Sequence, residues 1–396
     1  MFRVVIAGGG VAALEATLAL RALAEERVSI ELIAPERDFV YRPLAVAEPF
    51  RVGEARRFPL APLVDAAGGH LLRGRVASVD LGARVIVTDE GEQRPYDALL
   101  VALGARPDEA IPGALTFTGP QSSEALKAVL DDVLAGKVRR LAFVVPTGVT
   151  WPLPLYELAL LTASFAVDHC TGDEEIVVVT PEDSPLALFG EQASEVIADL
   201  LETRGIDLRL RTTSGSFEDG ELRVAPGGSI QADRVIALPR LEGPGIEGLP
   251  ADRHGFLPVD ERCRIRSEVD VFAAGDATNF PLKQGGIAAQ QADTAAEGIA
   301  ALAGAPVKPE PFRPVLRGLL LTGMAERYLR SEPGATRSTV DTEALWWPPA
   351  KIVGRYLAPF LATKLGLSES EPAALGDLRG TRPPTRGSSP QGPAAR

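Results

Sequence analysis

The chain has 396 residues, 45% of them apolar, and a formal net charge of -12. That length exceeds one core's usual size and points to two or three domains, while acidity without clustered Lys and Arg argues against a nucleic-acid partner. Two cysteines, Cys170 and Cys263, form no C-x-x-C pair, and His70, His169 and His254 show no ligand spacing, so neither a dithiol nor a metal site is expected.

In chain order, Val4 to Ala7 reads as a buried strand and Val11 to Ala24 as an alanine-rich helix, joined by Gly8-Gly9-Gly10. A turn without side chains frees the first helical N–H groups to meet a pyrophosphate. Gly8 permits the tight turn, Gly10 the close approach of backbone to phosphate, and Ala13 is small enough for helix and strand to pack. Val28 to Ala34 is a second strand, Arg75 to Val79 with Arg84 to Thr88 an antiparallel insertion, and Leu99 to Leu103 a further buried strand that ends at Gly104. From near Gly119 the plan repeats, with strands over Leu141 to Val145 and Ile176 to Thr180, a helix over Leu153 to Phe165, and an amphipathic helix over Gly190 to Arg204. Ala34-Pro35-Glu36 and Thr180-Pro181-Glu182 follow the second strand of each copy, which suggests one fold used twice. From about Leu241 the chain returns to the first fold, with a strand ending at Val271-Phe272-Ala273-Ala274-Gly275-Asp276 and a helix over Gly285 to Leu302.

The expected fold is α/β, with two Rossmann-like domains, the first discontinuous, and a small C-terminal cap. The boundaries fall at 1–118, 119–240 and 241–305, with the cap over 306–375 and a Gly-, Pro-, Ser- and Arg-rich tail over 376–396 that is expected to be disordered. The chain opens directly on a strand, and no apolar run approaches the roughly 20 residues of a bilayer span. Neither a signal peptide nor a transmembrane segment is expected, which makes the cytoplasm the default location.

An N-terminal dinucleotide fold that closes on a late Gly-Asp is the arrangement a flavoprotein needs. The glycine triplet, Leu100-Val101-Ala102-Leu103-Gly104 and the late Gly275-Asp276 resemble the two-dinucleotide-domain flavoproteins of the pyridine nucleotide-disulfide oxidoreductase superfamily over roughly residues 1 to 305. Phe39-Val40-Tyr41-Arg42-Pro43-Leu44 and Phe280-Pro281-Leu282-Lys283-Gln284-Gly285 look most like its sulfide:quinone and type II NADH:quinone oxidoreductase branch. The resemblance implies one noncovalent FAD. Gly8, Gly9 and Gly10, continued by Val11 and Ala12, would carry its pyrophosphate, and Asp276, set by Gly275, would accept a ribitol hydroxyl. The acidic residue on the adenosine ribose falls at Ala34, so Glu36 is the substitute, with a solvent-facing role as its alternative. Val76 would touch the adenine through backbone, Gly104 would let the chain pass close to the cofactor, and Arg42 and Pro43 would sit beside the flavin ring. Lys283, followed by Gln284, would place positive charge near the flavin pyrimidine, or else is an exposed loop lysine.

Three departures shape the functional reading. Pro146-Thr147-Gly148-Val149-Thr150-Trp151-Pro152-Leu153-Pro154 opens the second domain with one glycine and three prolines, and proline lacks the N–H a pyrophosphate needs. The loop instead resembles the sulfide:quinone segment before a Pro-x-Tyr-Glu helix, here Pro154-Leu155-Tyr156-Glu157, yet that enzyme's cysteines, near Trp151 and near Leu316 to Thr322, are absent. Trp151 would face the flavin or close a substrate pocket, or simply fill core. Finally, Trp346 to Leu361 mixes aromatics with Lys351 and Arg355 one helical turn apart. This suits a peripheral membrane contact at the inner face of the cell membrane, with packing or a homodimer contact as the favoured alternative.

The resulting expectation is an FAD-dependent oxidoreductase that passes two electrons from a small-molecule donor to a quinone-like acceptor, with Lys283, Trp151 and Pro43 at the reacting centre. An NAD(P)H-dependent reductase with an atypical nucleotide loop and a non-catalytic flavin scaffold are the alternatives. Sulfide oxidation needs an attacking thiolate and a second sulfur to hold the product. Changing Trp151→Cys is therefore expected to create no sulfide-dependent flavin reduction, measured by anaerobic bleaching with sulfide.

Overall fold

The computed structural model describes residues 1–169, 171–172, 174–266, 268–332 and 338–366. Cys170 and the whole tail 376–396 lie outside them. Two five-stranded parallel sheets organise the chain. In the first, the strands run in the order Val271–Ala273, Ala98–Val101, Phe2–Ala7, Val28–Ala34 and His70–Arg73. Side chains alternate across the strand Phe2–Ala7, so Val4 and Ile6 face one apolar layer and Val5 and Ala7 the other.

The first layer holds the helices Val11–Ala24 and Gly285–Leu302. Ala13, Ala16 and Ala19 on one and Ala292, Ala295 and Ala296 on the other are buried in the same core, and such small residues let two helices approach closely. The second layer is an antiparallel meander of Val76–Asp80, Val85–Thr88 and Gln93–Pro95, whose last strand the sequence reading missed.

The second sheet repeats this plan with strands in the order Leu115–Thr116, Arg234–Ala237, Arg140–Val144, Glu175–Val179 and Ile206–Arg209. Its helices are Ser123–Leu134, Leu153–Asp168 and Glu191–Thr203, and its meander is Thr213–Glu218, Glu221–Ala225 and Gly228–Gln231. Leu115 and Thr116, assigned from sequence to segment 1–118, belong to this second sheet, because two residues carry too little periodicity to be recognised without their partners Ile236 and Ala237. The two passes between the sheets lie side by side, with Arg106–Asp108 paired antiparallel to Arg240–Glu242.

The C-terminal cap is a three-stranded sheet, Leu316–Leu320, Arg327–Ser331 and Thr339–Asp341, followed by a strap that ends in the helix Leu357–Lys364. Lys351 and Arg355 do not share an amphipathic helical face. Residues 346–356 are irregular, Lys351 is buried and Arg355 exposed. Pro348, Pro349 and Gly354 break the helical pattern. The segment packs on the molecule instead: Ile352 donates its N–H to the Tyr41 hydroxyl at 2.8 Å, and Trp346 packs edge-on against Tyr328. Among the described residues no helix is long and apolar enough to cross a membrane.

Glu15, fully buried in the first helix, anchors the end of the strap. Its two carboxylate oxygens accept the N–H groups of Tyr356 and Leu357, each at 2.7 Å. A Cβ at Gly354 would lie 2.3 Å from Glu15 Oε2, so only glycine passes there. Asp293, on the helix Gly285–Leu302, shares this site and hydrogen-bonds Glu15. Burial, then the Glu15 charge, pushes the Asp293 carboxyl up to about 8; Arg355 opposes the rise and Glu297 adds to it. Unfolded, that carboxyl titrates near pH ~4. Between those values the folded state holds the extra proton, so this group's contribution to stability falls as pH rises through that window. Asp293→Asn, which keeps a donor toward Glu15, is expected to gain about 1–3 kcal/mol over the parent at pH 8.5 and little at pH 5. Thermal unfolding at the two pH values checks this, and an equal loss at both would refute it.

Candidate active site

The strand–turn–helix at the N-terminus places Gly8 at φ +128°, where a Cβ would sit 2.3 Å from the Ala102 carbonyl oxygen. Gly10 precedes the first helical turn, and a Cβ there would meet nothing within 4 Å, leaving the N–H groups of Val11 and Ala12 an open approach. Gly9 fills a different need, since a Cβ there would lie 2.7 Å from the Leu60 side chain. From the other end of the chain, Gly275 at φ +77° comes so close that its Cβ would lie 3.4 Å from Ala12 Cβ and 3.2 Å from Ala288 Cβ. Gly104, at φ +70°, also faces open space. Gly8, Gly104 and Gly275 thus follow the carboxyl ends of three adjacent strands of the first sheet.

A cavity of about 450 Å³ lies between the two sheets. Arg42, Pro43, Trp151, Asp276, Lys283 and Gln284 all line it, so six residues named from sequence converge here. Among the described residues none donates a hydrogen bond to the Asp276 carboxylate. Burial raises its pKa against the pull of Lys283 and Arg42. Lys283 is fixed by the carbonyl oxygens of Asp276, at 3.2 Å, and Thr278, and its ammonium lies 3.7 Å from the centre of the Phe256 ring. Burial lowers its pKa to about 8, with Asp276 opposing the fall. It is therefore not the exposed loop lysine of the alternative reading. Thr150 donates to the Pro281 carbonyl at 2.5 Å and ties the second sheet's loop to the first sheet's at the cavity wall.

Other sequence expectations land elsewhere. Gln284 lines the cavity, but its carboxamide is spent on the fold: Oε1 caps the helix through Ile287 N–H at 2.8 Å, and Nε2 donates to the Arg317 carbonyl at 3.0 Å. Its backbone carbonyl is engaged as well, accepting the Ala288 N–H at 2.9 Å. Val76 has its side chain in the apolar layer under the meander, and Glu36 is exposed beyond its strand, its carbonyl accepting from Arg73 at 2.9 Å. Neither borders the cavity, and neither do Gly8, Gly9, Gly10, Val11, Ala12, Gly104 or Gly275. Trp151 borders it and packs on Phe189 with ring centres 5.8 Å apart. Gly318 and Leu319 face the same space, so the two places where the resembling enzyme keeps sulfur hold an indole and apolar backbone. Cys263 is buried in the first core, its thiol pushed up to about 12 by burial, and has no thiolate to offer.

One pair at the cavity was not anticipated as a pair. Glu157, on the helix Leu153–Asp168, and Lys351, on the strap, form a buried ion pair lining the cavity. Glu157 Oε1 also accepts the Leu321 N–H at 2.8 Å, while Oε2 is buried with no partner among the described residues. Burial drives Glu157 up and Lys351 down, each restrained by the other's charge. The signal was an acidic residue in an otherwise apolar helix; its partner lies too far along the chain to be paired from spacing.

The model of the pyridine nucleotide-disulphide oxidoreductase family matches residues 2–297. The chain belongs to that family. It is accordingly an oxidoreductase and a flavoprotein. It is 26% identical over 318 residues to the type II NADH:quinone oxidoreductase NdhA of Mycobacterium tuberculosis, a match covering 70% of this chain and 67% of that one. To rubredoxin-NAD(+) reductase of Pseudomonas putida it is 25% identical over 378 residues, covering 88% and 94%. The sulfide:quinone oxidoreductase structure from Aquifex aeolicus superposes with a TM-score of 0.78 at 18% identity, covering 86% and 87%, which establishes a shared fold.

An unpartnered carboxylate, glycines at each close approach and open space before a helix N-terminus suit a dinucleotide laid from Gly10 toward Asp276. Asp276→Ala is expected to weaken FAD binding by about 10–100-fold, the cost of one hydrogen bond to a charged group. Flavin content and titration of the apoprotein check this. Full yellow colour in the purified variant would remove Asp276 from the site.

Proposed function

We propose that the protein holds one FAD across the strand ends from Gly8 to Asp276 and uses it to pass two electrons from a donor to a quinone-like acceptor. FAD would supply the chemistry, accepting and releasing an electron pair, while the chain sets access, charge and proton supply. Lys283 stands beside Asp276, where its ammonium would offset negative charge on the reduced ring. Arg42 adds a second cation at the same wall. Pro43 and Trp151 offer flat apolar surface against which a planar ring system can lie.

The observation that carries this reading is the Glu157–Lys351 pair. Reduction of a quinone takes up protons as well as electrons, and a buried acid and amine with opposed pKa shifts hold a proton poised between them. Lys351, whose ammonium holds the pair's proton, would pass it through Glu157 to an acceptor oxygen reaching the carboxylate's free side, leaving a neutral amine beside the carboxylate. Leu319, Ile352 and Trp151 add apolar surface to the same wall.

The test is reoxidation of the dithionite-reduced holoprotein by menadione under anaerobic stopped flow. Rapid saturable reoxidation is expected, and a bound flavin that stays reduced at saturating quinone would overturn the reading. Glu157→Gln is expected to slow this half-reaction by about 10²–10⁴-fold with flavin content unchanged. The parent enzyme's pH dependence should also flatten in that variant, which separates proton donation from packing.

A further inference from the structure

The strap over residues 346–356 brings Lys351 to the cavity without forming a helix or a strand, so no ladder of backbone hydrogen bonds fixes it. A buried N–H outside such a ladder needs another acceptor. Two side chains that belong with the first sheet supply it. At the far end of the strap Glu15 accepts the N–H groups of Tyr356 and Leu357. At the near end, one residue after Lys351, the Ile352 N–H donates to the Tyr41 hydroxyl at 2.8 Å.

Tyr41 is itself held on both sides. Its N–H donates to the Arg56 carbonyl at 2.8 Å, where the ladder pairing Asp38–Val40 with Arg57–Pro59 ends. Its ring is buried in the first core, and burial raises the hydroxyl's pKa against hydrogen bonding from the Ile352 and Lys351 backbone, so the group stays neutral. Arg42 and Pro43, the next two residues, line the cavity, whereas Tyr41 does not. On the strap, Ile352 presses on the start of the helix Gly285–Leu302, so that a Cβ at Gly285 would lie 2.9 Å from Ile352 Cγ1. One hydroxyl thus joins the stretch carrying Arg42 and Pro43 to the stretch carrying Lys351, and Glu157 meets that lysine from the helix Leu153–Asp168 of the second sheet.

We infer that Tyr41 is a positioning residue for proton delivery: through the Ile352 N–H it seats the strap so that the Lys351 ammonium meets the Glu157 carboxylate at the cavity. It acts through Lys351 and not on the flavin or the acceptor. The inference rests on the reading of Glu157 and Lys351 as the proton-holding pair.

The Tyr41→Phe variant keeps the ring and removes the acceptor. The FAD-loaded parent and variant are pulse-acetylated with acetic anhydride and the lysines read by mass spectrometry, with exposed Lys308 as internal standard. Loss of one buried hydrogen bond is expected to raise Lys351 acetylation about tenfold. Lys283, held in the same cavity by the carbonyl oxygens of Asp276 and Thr278, is expected to stay as in the parent. An unchanged Lys351, or a parallel rise at Lys283, overturns the inference. The second measurement is anaerobic reoxidation of the reduced holoprotein by menadione, run as a double-variant cycle. Tyr41→Phe is expected to lower the limiting rate about tenfold with the half-saturating menadione concentration unchanged, and to add nothing in the Glu157→Gln background, where no proton relay remains to be positioned. Equal losses in both backgrounds would make Tyr41 a packing residue and overturn its role. If the parent itself is not reoxidised, the quinone reading fails, and the acetylation pattern alone decides whether Tyr41 seats Lys351.

Discussion

The approach of Gly275 to Ala12 is the contact on which the rest of the molecule depends. It brings the end of a strand contributed late in the chain against the first turn of the first helix, with 3.4 Å between Ala12 Cβ and a hypothetical Cβ on Gly275. Only residues with little or no side chain allow this. The strand Phe2–Ala7 lies between Val28–Ala34, the next strand in the chain, and Ala98–Val101, which arrives from the other direction. The chain therefore splits to either side of this strand, and that is where a parallel sheet opens a crevice at its carboxyl edge. Gly8 pressed on Ala102, Gly275 on Ala288 and the backbone left bare at Gly10 are three local solutions to one requirement. Backbone must approach a ligand where three strands end.

The charges at the cavity follow a second constraint. An ion pair buried as deeply as Glu157 and Lys351 costs more in lost hydration than it returns in attraction unless its remaining valences are satisfied. Glu157 Oε2 is not satisfied by any described residue, so stability alone does not account for the pair. The strap that brings in Lys351 is itself held by a buried acid, Glu15, whose oxygens accept two backbone N–H groups where the terminal helix begins. One carboxylate positions the strap and the other meets the lysine it carries. The C-terminal segment thus belongs to the cavity wall rather than to an appendage.

What could be read in the sequence was what is local. The helices Val11–Ala24 and Gly285–Leu302 occupy the residues that alanine content and flanking glycines indicate, and the two-copy plan is present in the sheet orders. Asp276, Lys283, Pro43, Arg42 and Trp151 reach one cavity because each sits at the end of a strand or on the loop that follows it. What could not be read was pairing over distance. Lys351 resembled a surface cation because Arg355 stood one turn on, and its true partner lies on a helix of the other sheet. Gln284 looked like a ligand contact because it neighbours Lys283, whereas its carboxamide completes a helix cap and ties down Arg317. Cap and contact have the same local sequence, and only the position of the strand Leu316–Leu320 distinguishes them.

The asymmetry between the two copies shows how little a repeated topology says about repeated use. Sheet order and meander agree between them, yet the turn after the central strand is Gly8-Gly9-Gly10 in one and carries Pro146, Gly148 and Pro152 in the other. Glu36 and Glu182 follow the second strands of their sheets with the same Pro-Glu step. One carboxylate lies in solvent, while the other is consumed by Tyr156 and Thr180. A buried tyrosine hydrogen-bonded to a carboxylate is part of the core, and core positions helices rigidly. Tyr156 and Glu157 are adjacent on the same helix, so the hydrogen bond that occupies the Glu182 carboxylate also fixes the turn that aims Glu157 at Lys351. One turn of one helix thus satisfies the carboxylate after the second strand and presents Glu157 to the cavity.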